Sequence, residues 1–515
     1  MRDGTSRGRR PRAMVAAATV VLVGIGASGV RAAAPATSSG AAAARQSPST
    51  AGWPMAGQNY DNARAAVGSR ITSANVDRLQ EAFAAEVPGA ATFSTAAVVV
   101  DGTVYVQGGS GVVVAIDADT GTKRWTSAAS GFNVGPFGVA VADGRVMADA
   151  GSNAVLALDQ NTGKELWRTK LATTATLGVD IQPTVFDGLV FASTVPVSVD
   201  GIFTPGDRGV LYALDAATGV VRWSFDTVKG GDLWGHPEVN SGGGAWYTPA
   251  VDPARRTVYF GTANPAPFVG TAEYPNGTSR PGANLYSDSI LALDVDTGAL
   301  RWYHQVTAHD LYDRDQVHAL IVRPRKGRAI VVSAGKSGVV VGLDPVTGRV
   351  IWQRAVGVHR HDTERSLTAP TDVWPGTYGG ILTPPAAADG VVYVATVNAP
   401  STLPPDKPSY FGGQLGTHDG EVVAIRAQTG KVVWDTKVPG DPLGGATVVN
   451  DLVLTALLDG TVVALDRGTG AIVWKYQARG TINGWLAAVG DTLYIPVGGA
   501  NPPQLLALRL PSKTG

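Results

Sequence analysis

The sequence predicts an all-β protein, an eight-bladed β-propeller with four-stranded antiparallel blades, and three observations carry that expectation. One turn motif recurs seven times along the chain. Glycine and proline are abundant, at 65 and 32 of 515 residues, while only 16% of residues are charged. Strand-like stretches separate the motif copies, so the composition fits many short strands and turns better than long exposed helices.

The motif runs from β-branched and leucine residues through Ala or Gly, an apolar residue, Asp, small residues and Thr-Gly to Trp. Its copies are "VVAIDADTGTKRW" ending at Trp125, "VLALDQNTGKELW" at Trp167, "LYALDAATGVVRW" at Trp223 and "ILALDVDTGALRW" at Trp302. It returns as "VVGLDPVTGRVIW" at Trp352, "VVAIRAQTGKVVW" at Trp434 and "VVALDRGTGAIVW" at Trp474. Thr-Gly suits a tight turn between two strands, because glycine takes a φ that other residues resist, and the β-branched flanks prefer a packed sheet. Stretches such as "GTVYVQGG" and "DLVLTALLDG" supply the other strands of each unit. A four-stranded sheet cannot cover both of its faces alone, whereas radial packing buries them and leaves short edges. The last unit, "TLYIPVGGANPPQLLALRL", keeps the Ala-Leu-Arg of the motif and lacks its final strand. The N-terminal "RLQEAFAAEV" is the expected donor of that strand and latch of the ring.

Residues 1–31 combine a basic segment, an apolar run and small residues, and are expected to be an export signal; 32–49 are a flexible low-complexity segment. Residues 50–515 are then a single propeller domain, secreted or in the cell envelope, with no transmembrane domain in the mature chain. Without residues 1–31 the chain holds 36 Lys and Arg against 41 Asp and Glu, a net charge of −5 that gives no reason to expect a nucleic-acid partner. The absence of cysteine excludes disulfides, thiolate metal sites, iron–sulfur clusters and covalently attached haem.

The spacing between motif copies grows from about 40 residues to 50 or more between Asp159 and Arg426, so the long loops that carry function are expected there. Six residues in that region suit a site. In "SGGGAWYTPAVDP", Gly244 and Ala245 leave room for a planar molecule to lie on Trp246. Asn264, in "NPAP", offers an amide oxygen to a hard cation. Asp313, in "AHDLYDRDQV", is a carboxylate able to take a hydroxyl proton, and Lys336, in "SAGKSG", an ammonium able to stabilise negative charge. The same residues also suit an ordinary packing Trp, a turn Asn and a salt bridge. His304, His309 and His318 lack the spacing of a zinc site, and there is no P-loop or dinucleotide fingerprint.

The repeated motif together with "GGGAWYTPAVDP", "YFGTANPAPF", "RPGANLYSDSILALD", "HDLYD" and "GKSG" resembles the quinoprotein alcohol dehydrogenases, including the polyvinyl alcohol dehydrogenase-like proteins, from about Gly52 to Leu510. The resemblance implies an eight-bladed propeller whose axial pocket holds pyrroloquinoline quinone (PQQ) and calcium. It implies that Trp246 stacks on the cofactor beside Gly244 and Ala245, that Asn264 and Asp313 bind the metal, that Asp313 is the base and that Lys336 lies beside the quinone oxygens. The expected function is an exported PQQ-dependent dehydrogenase that oxidises an alcohol or polyol to the carbonyl compound. Its electrons would pass to an external acceptor such as a separate cytochrome. Two positions depart from the family: Thr204 lies near the place of a calcium-binding Glu, and Phe137 at that of an Arg that meets the cofactor carboxylates. Asp207 or Asp200 could compensate for the first. The alternatives are a cofactor-free propeller serving as a binding or assembly scaffold, and a divergent quinone-independent enzyme.

Overall fold

The repeated turns are built as their composition dictates. In the first, the Asp117 carboxylate accepts hydrogen bonds from the N–H groups of Asp119 and Thr120 and from the Thr120 hydroxyl. The pattern returns at Asp159, Asp215, Asp294, Asp344 and Asp466. The computed structural model describes residues 52–89, 94–131, 135–151, 153–199, 202–407, 415–499 and 502–512. The expected export signal and low-complexity segment lie outside them.

The motif also joins each sheet to the next. Six tryptophan indoles donate to the carbonyl just after the turn Asp or Arg of the following sheet, at 2.6 to 3.1 Å: Trp125 to Gln160, Trp167 to Ala216, Trp223 to Val295, Trp302 to Pro345, Trp352 to Ala427 and Trp434 to Arg467. Each ring lies against the next turn glycine so closely that a Cβ there would stand 2.5 to 2.7 Å from it. Glycine is thus required twice, by its positive φ of +66° to +78° at these turns and by the indole.

Seven regular blades result. They begin at the inner strands Val98–Val100, Val139–Ala142, Ala250–Asp252, His318–Val322, Ala386–Ala388, Thr447–Val449 and Ala487–Val489. The seventh blade has three strands from the C-terminal region and takes Gln80–Glu86 as its fourth, antiparallel to Gln504–Arg509, as the latch expectation requires. Phe83 on that strand fills the tryptophan's place against Gly121, and Arg509 supplies the missing donor to the Ala118 carbonyl at 2.5 Å.

The expected eight uniform four-stranded blades are corrected in one place. Between the second and third blades lies a curled, half-barrel sheet of seven strands, so the architecture is a seven-bladed propeller plus this sheet. Its strands Leu189–Pro196 and Arg208–Asp215 each run eight residues and outreach a blade. They recruit Leu177–Val179 and, through a parallel pairing, Ser241–Gly243, which in turn pairs with Pro265–Ala266. The motif marks a turn wherever one occurs, but says nothing of how far the strands continue past it.

An N-terminal segment closes one end of the axis. Carbonyls of Trp53, Pro54, Tyr60, Asp61, Ala63 and Arg64 accept N–H groups from Val99, Val141, Val251, Ile321, Ala387 and Val448, all on inner strands. Arg64, 1% exposed, spends its guanidinium on the carbonyls of Ala56, Ala446 and Leu486 and the hydroxyl of Thr447. These bonds fall within or late in the inner strands. The segments that lead into those strands meet at the other mouth.

Candidate functional site

Four loops bring the site together at that mouth. Trp246 follows the curled sheet and leads into Ala250–Asp252; Asn264 follows the strand Thr257–Gly261; Asp313 precedes His318–Val322; and Lys336 follows Ile330–Ala334. Antiparallel neighbours put the end of one strand beside the start of the next, which is why residues up to 90 positions apart in sequence converge.

Lys336 is the centre of charge. Its ammonium lies 2.5 Å from Asp313 Oδ2, 2.8 Å from Asp315 Oδ2 and 5.8 Å from the centre of the Trp246 ring. Asp315 binds the remaining parts: its Oδ1 accepts the Asn264 backbone N–H at 2.7 Å and the Trp246 indole N–H at 3.4 Å. The Lys336 ammonium, the Trp246 indole and the Asn264 backbone therefore meet at Asp315, a residue that sequence reasoning did not single out, and Asp313 joins them through Lys336. The available signal was a second carboxylate two residues past Asp313 in the same short loop.

The remaining ionisable groups of "AHDLYDRDQV" hold the loop. Asp310 accepts the N–H groups of Tyr312 and Arg314, each at 2.7 Å, bending the chain so that Asp313 takes a φ of +63°. Arg314 donates to the Pro375 carbonyl and lies 5.2 Å from the Tyr312 ring centre. His309 reaches only backbone carbonyls, at 3.3 and 3.4 Å. From "RPGANLY", the fully buried Arg280 ties this loop to the Asn264 loop through the carbonyls of Asp310, Phe268 and Pro267.

Gly242, Gly243 and Gly244 have φ of +134°, +73° and +92°, and a Cβ on Gly244 would stand 2.2 Å from the Thr194 carbonyl oxygen. Packing against the chain's own strands accounts for these glycines, and Ala245, fully buried, is held by its N–H on the Ser193 hydroxyl. Trp246 is half-buried, with its ring 4.8 Å from that of Tyr247. Phe137 is buried, with its N–H on the Ser94 carbonyl. Thr204 is half-buried; Asp207 turns its carboxylate to the hydroxyls of Thr174 and Thr176, and Asp200 lies outside the described residues.

One ammonium serves two carboxylates here. Burial pushes the Asp313 carboxyl well above the usual range, with Lys336 opposing and Asp315 adding to the rise. Asp288, fully buried beside these groups with no partner on either oxygen, is pushed up by burial and then by the fields of Asp310 and Asp315. Because its folded-state pKa exceeds the unfolded one, protonated Asp288 is favoured by folding, and stability drains away as pH rises above the unfolded value of about 4. Asp288→Asn is therefore expected to be more stable than wild type at neutral pH, with the difference vanishing below about pH 4. Urea unfolding at several pH values measures this, and a substitution penalty independent of pH would contradict it.

The arrangement defines a class: a tryptophan-docked β-propeller with a carboxylate–ammonium pair beside an indole at one mouth. The domain family described as glucose/ethanol/alcohol dehydrogenase, beta-propeller domain, matches residues 172–385. A second family, described as outer membrane protein assembly factor BamB, matches 30–194 and 376–501. The quinohemoprotein alcohol dehydrogenase of Comamonas testosteroni is 28% identical over 70% of this chain and 56% of its own. The polyvinylalcohol dehydrogenase of Sphingopyxis sp. (strain 113P3) is 28% identical over 73% of this chain and 57% of its own. The chain thus spans less than two thirds of the length of these relatives. The crystal structure of the Comamonas enzyme superposes with a TM-score of 0.78 at 24% identity, covering 92% of this chain and 82% of that one. A europium-containing methanol dehydrogenase gives 0.74 at 23% identity, covering 88% and 91%. In sequence and in fold the chain is similar to the quinoprotein and polyvinyl alcohol dehydrogenases.

Proposed function

We propose that this chain oxidises an alcohol or polyol to the carbonyl compound with PQQ and calcium, and passes the electrons to an external acceptor such as a separate cytochrome. The observation that carries the reading is the buried Asp313–Lys336 pair at 2.5 Å, with the ammonium 5.8 Å from the centre of the Trp246 ring. A flat ligand on the partly buried indole would lie within reach of the ammonium. Asn264, Asp313 and Asp315 are the hard oxygen donors for calcium, which takes six to eight oxygens in all and would draw the rest from cofactor and water. Their two carboxylates suit a divalent cation.

When bound, PQQ supplies a two-electron acceptor for the carbinol hydride, and calcium a Lewis acid. Asp313 takes the hydroxyl proton onto its carboxylate, and burial, which raises its pKa, makes that carboxylate a stronger base than an ordinary aspartate. Lys336 holds that carboxylate in place and supplies positive charge where negative charge develops. Asp310 and Arg280 fix the loop. Among the described residues no helix is long and apolar enough to cross a membrane, and we propose export to the cell envelope or beyond.

Dye-linked oxidation of primary, secondary and polymeric alcohols by the chain loaded with PQQ and calcium tests the activity. Trp246→Ala is expected to weaken PQQ binding by about tenfold, from a stacking loss of about 1 kcal/mol or more. Unchanged PQQ affinity in that variant would remove the indole from the site.

A further inference from the structure

We propose a second cation site, separate from Asn264 and Asp313, in which Asp149, Asp180, Gln107 and Gln182 hold a hard divalent ion such as calcium. Each of these side chains is more than nine-tenths buried, at 1%, 8%, 0% and 1% exposure. Each also carries an acceptor oxygen with no hydrogen-bond partner among the described residues: Asp149 Oδ2, Asp180 Oδ1, Gln107 Oε1 and Gln182 Oε1. Four such oxygens in one neighbourhood are rare in a folded protein, where buried acceptors are nearly always satisfied.

The four come together around Gly135–Gly138, where the first two blades meet the curled sheet. A Cβ on Gly135 would stand 2.3 Å from Asp180 Oδ2, and one on Gly138 would stand 2.7 Å from Gln182 Cδ. The Gly138 N–H points to Asp149 Oδ1 at 3.4 Å, and Gln107 Nε2 donates to the Asp149 carbonyl at 2.7 Å. Gln182 Nε2 donates to the Val139 carbonyl at 3.0 Å, and its Oε1 is buried with no hydrogen-bond partner among the described residues. No Lys, Arg or His makes an ion pair with Asp149 or Asp180 among the described residues. Two carboxylates and two amide oxygens are the hard donors that calcium or magnesium takes, and a divalent ion balances the two negative charges.

The site needs no PQQ, so its test is independent of the proposed activity. Metal-free chain is titrated with calcium in the absence of PQQ, following bound metal by equilibrium dialysis and the thermal midpoint. Terbium luminescence sensitised by nearby aromatic residues is read in parallel. Wild type is expected to bind one ion that Asn264→Ala/Asp313→Asn leaves in place and that Asp149→Asn/Asp180→Asn removes, with at least a tenfold loss of affinity. Gln182→Leu, which keeps both carboxylates, is expected to weaken the same ion by several-fold and guards against a double variant that fails to fold. Retention of the ion by both the Asp149→Asn/Asp180→Asn and Gln182→Leu variants would overturn the assignment, as would no calcium bound to wild type beyond that lost with Asn264 and Asp313.

Discussion

Asp313→Asn is expected to lower turnover by about 10²-fold or more while leaving the fold and PQQ affinity close to wild type. The amide keeps the shape of the carboxylate and can still sit beside Lys336, but it cannot take a proton. Asp315 remains 2.8 Å from Lys336 and still holds Asn264 and Trp246 in place, so the mouth keeps its frame. Steady-state rates on the best alcohol, with PQQ saturation shown separately, measure the effect. Turnover within a few-fold of wild type would mean that another group takes the proton, and Asp315 is the nearest alternative.

Lys336→Met is expected to have the larger structural effect. The thioether keeps much of the volume but strands Asp313 and Asp315, both at or below 5% exposure, without their shared cation. Leaving buried charge unpaired costs about 3 to 5 kcal/mol, and part of that is avoided by protonating one carboxyl. Loss of the neighbouring positive charge favours the neutral acid, so the Asp313 pKa rises further and its base form appears only at higher pH. The expected result is a turnover about 10²-fold lower at neutral pH, partly recovered in alkaline buffer, together with a lower urea midpoint. A pH–rate profile unchanged from wild type would show that Lys336 does not act through Asp313.

That Asp313 and Lys336 sit in loops just outside successive strands was legible in the sequence, whereas the roles proposed for them came from the resemblance of their motifs. The ring was legible as well. The Asp, the Thr-Gly and the Trp are one device, in which the Asp shapes the turn and the Gly makes room for the indole of the preceding sheet. What escaped was whatever depends on distance between separate motifs. Asp315 lay in plain view, yet its role as the common partner of Lys336, Asn264 and Trp246 exists only once four loops meet. The curled sheet escaped because two eight-residue strands carry the same turn motif as the shorter ones. The N-terminal closure of the axis leaves no periodic trace, for its bonds are made by backbone carbonyls from Trp53 to Arg64.

The central claim is that this mouth binds PQQ with a metal ion, and titration of the metal-free chain with PQQ, with and without calcium, addresses it most directly. Quenching of tryptophan fluorescence and the visible spectrum of the quinone report binding without reference to any substrate. The expected result is saturation at one PQQ per chain, tighter with calcium, weakened in Trp246→Ala and retained in Asp313→Asn. No saturable PQQ binding by the wild-type chain under either condition would contradict the account.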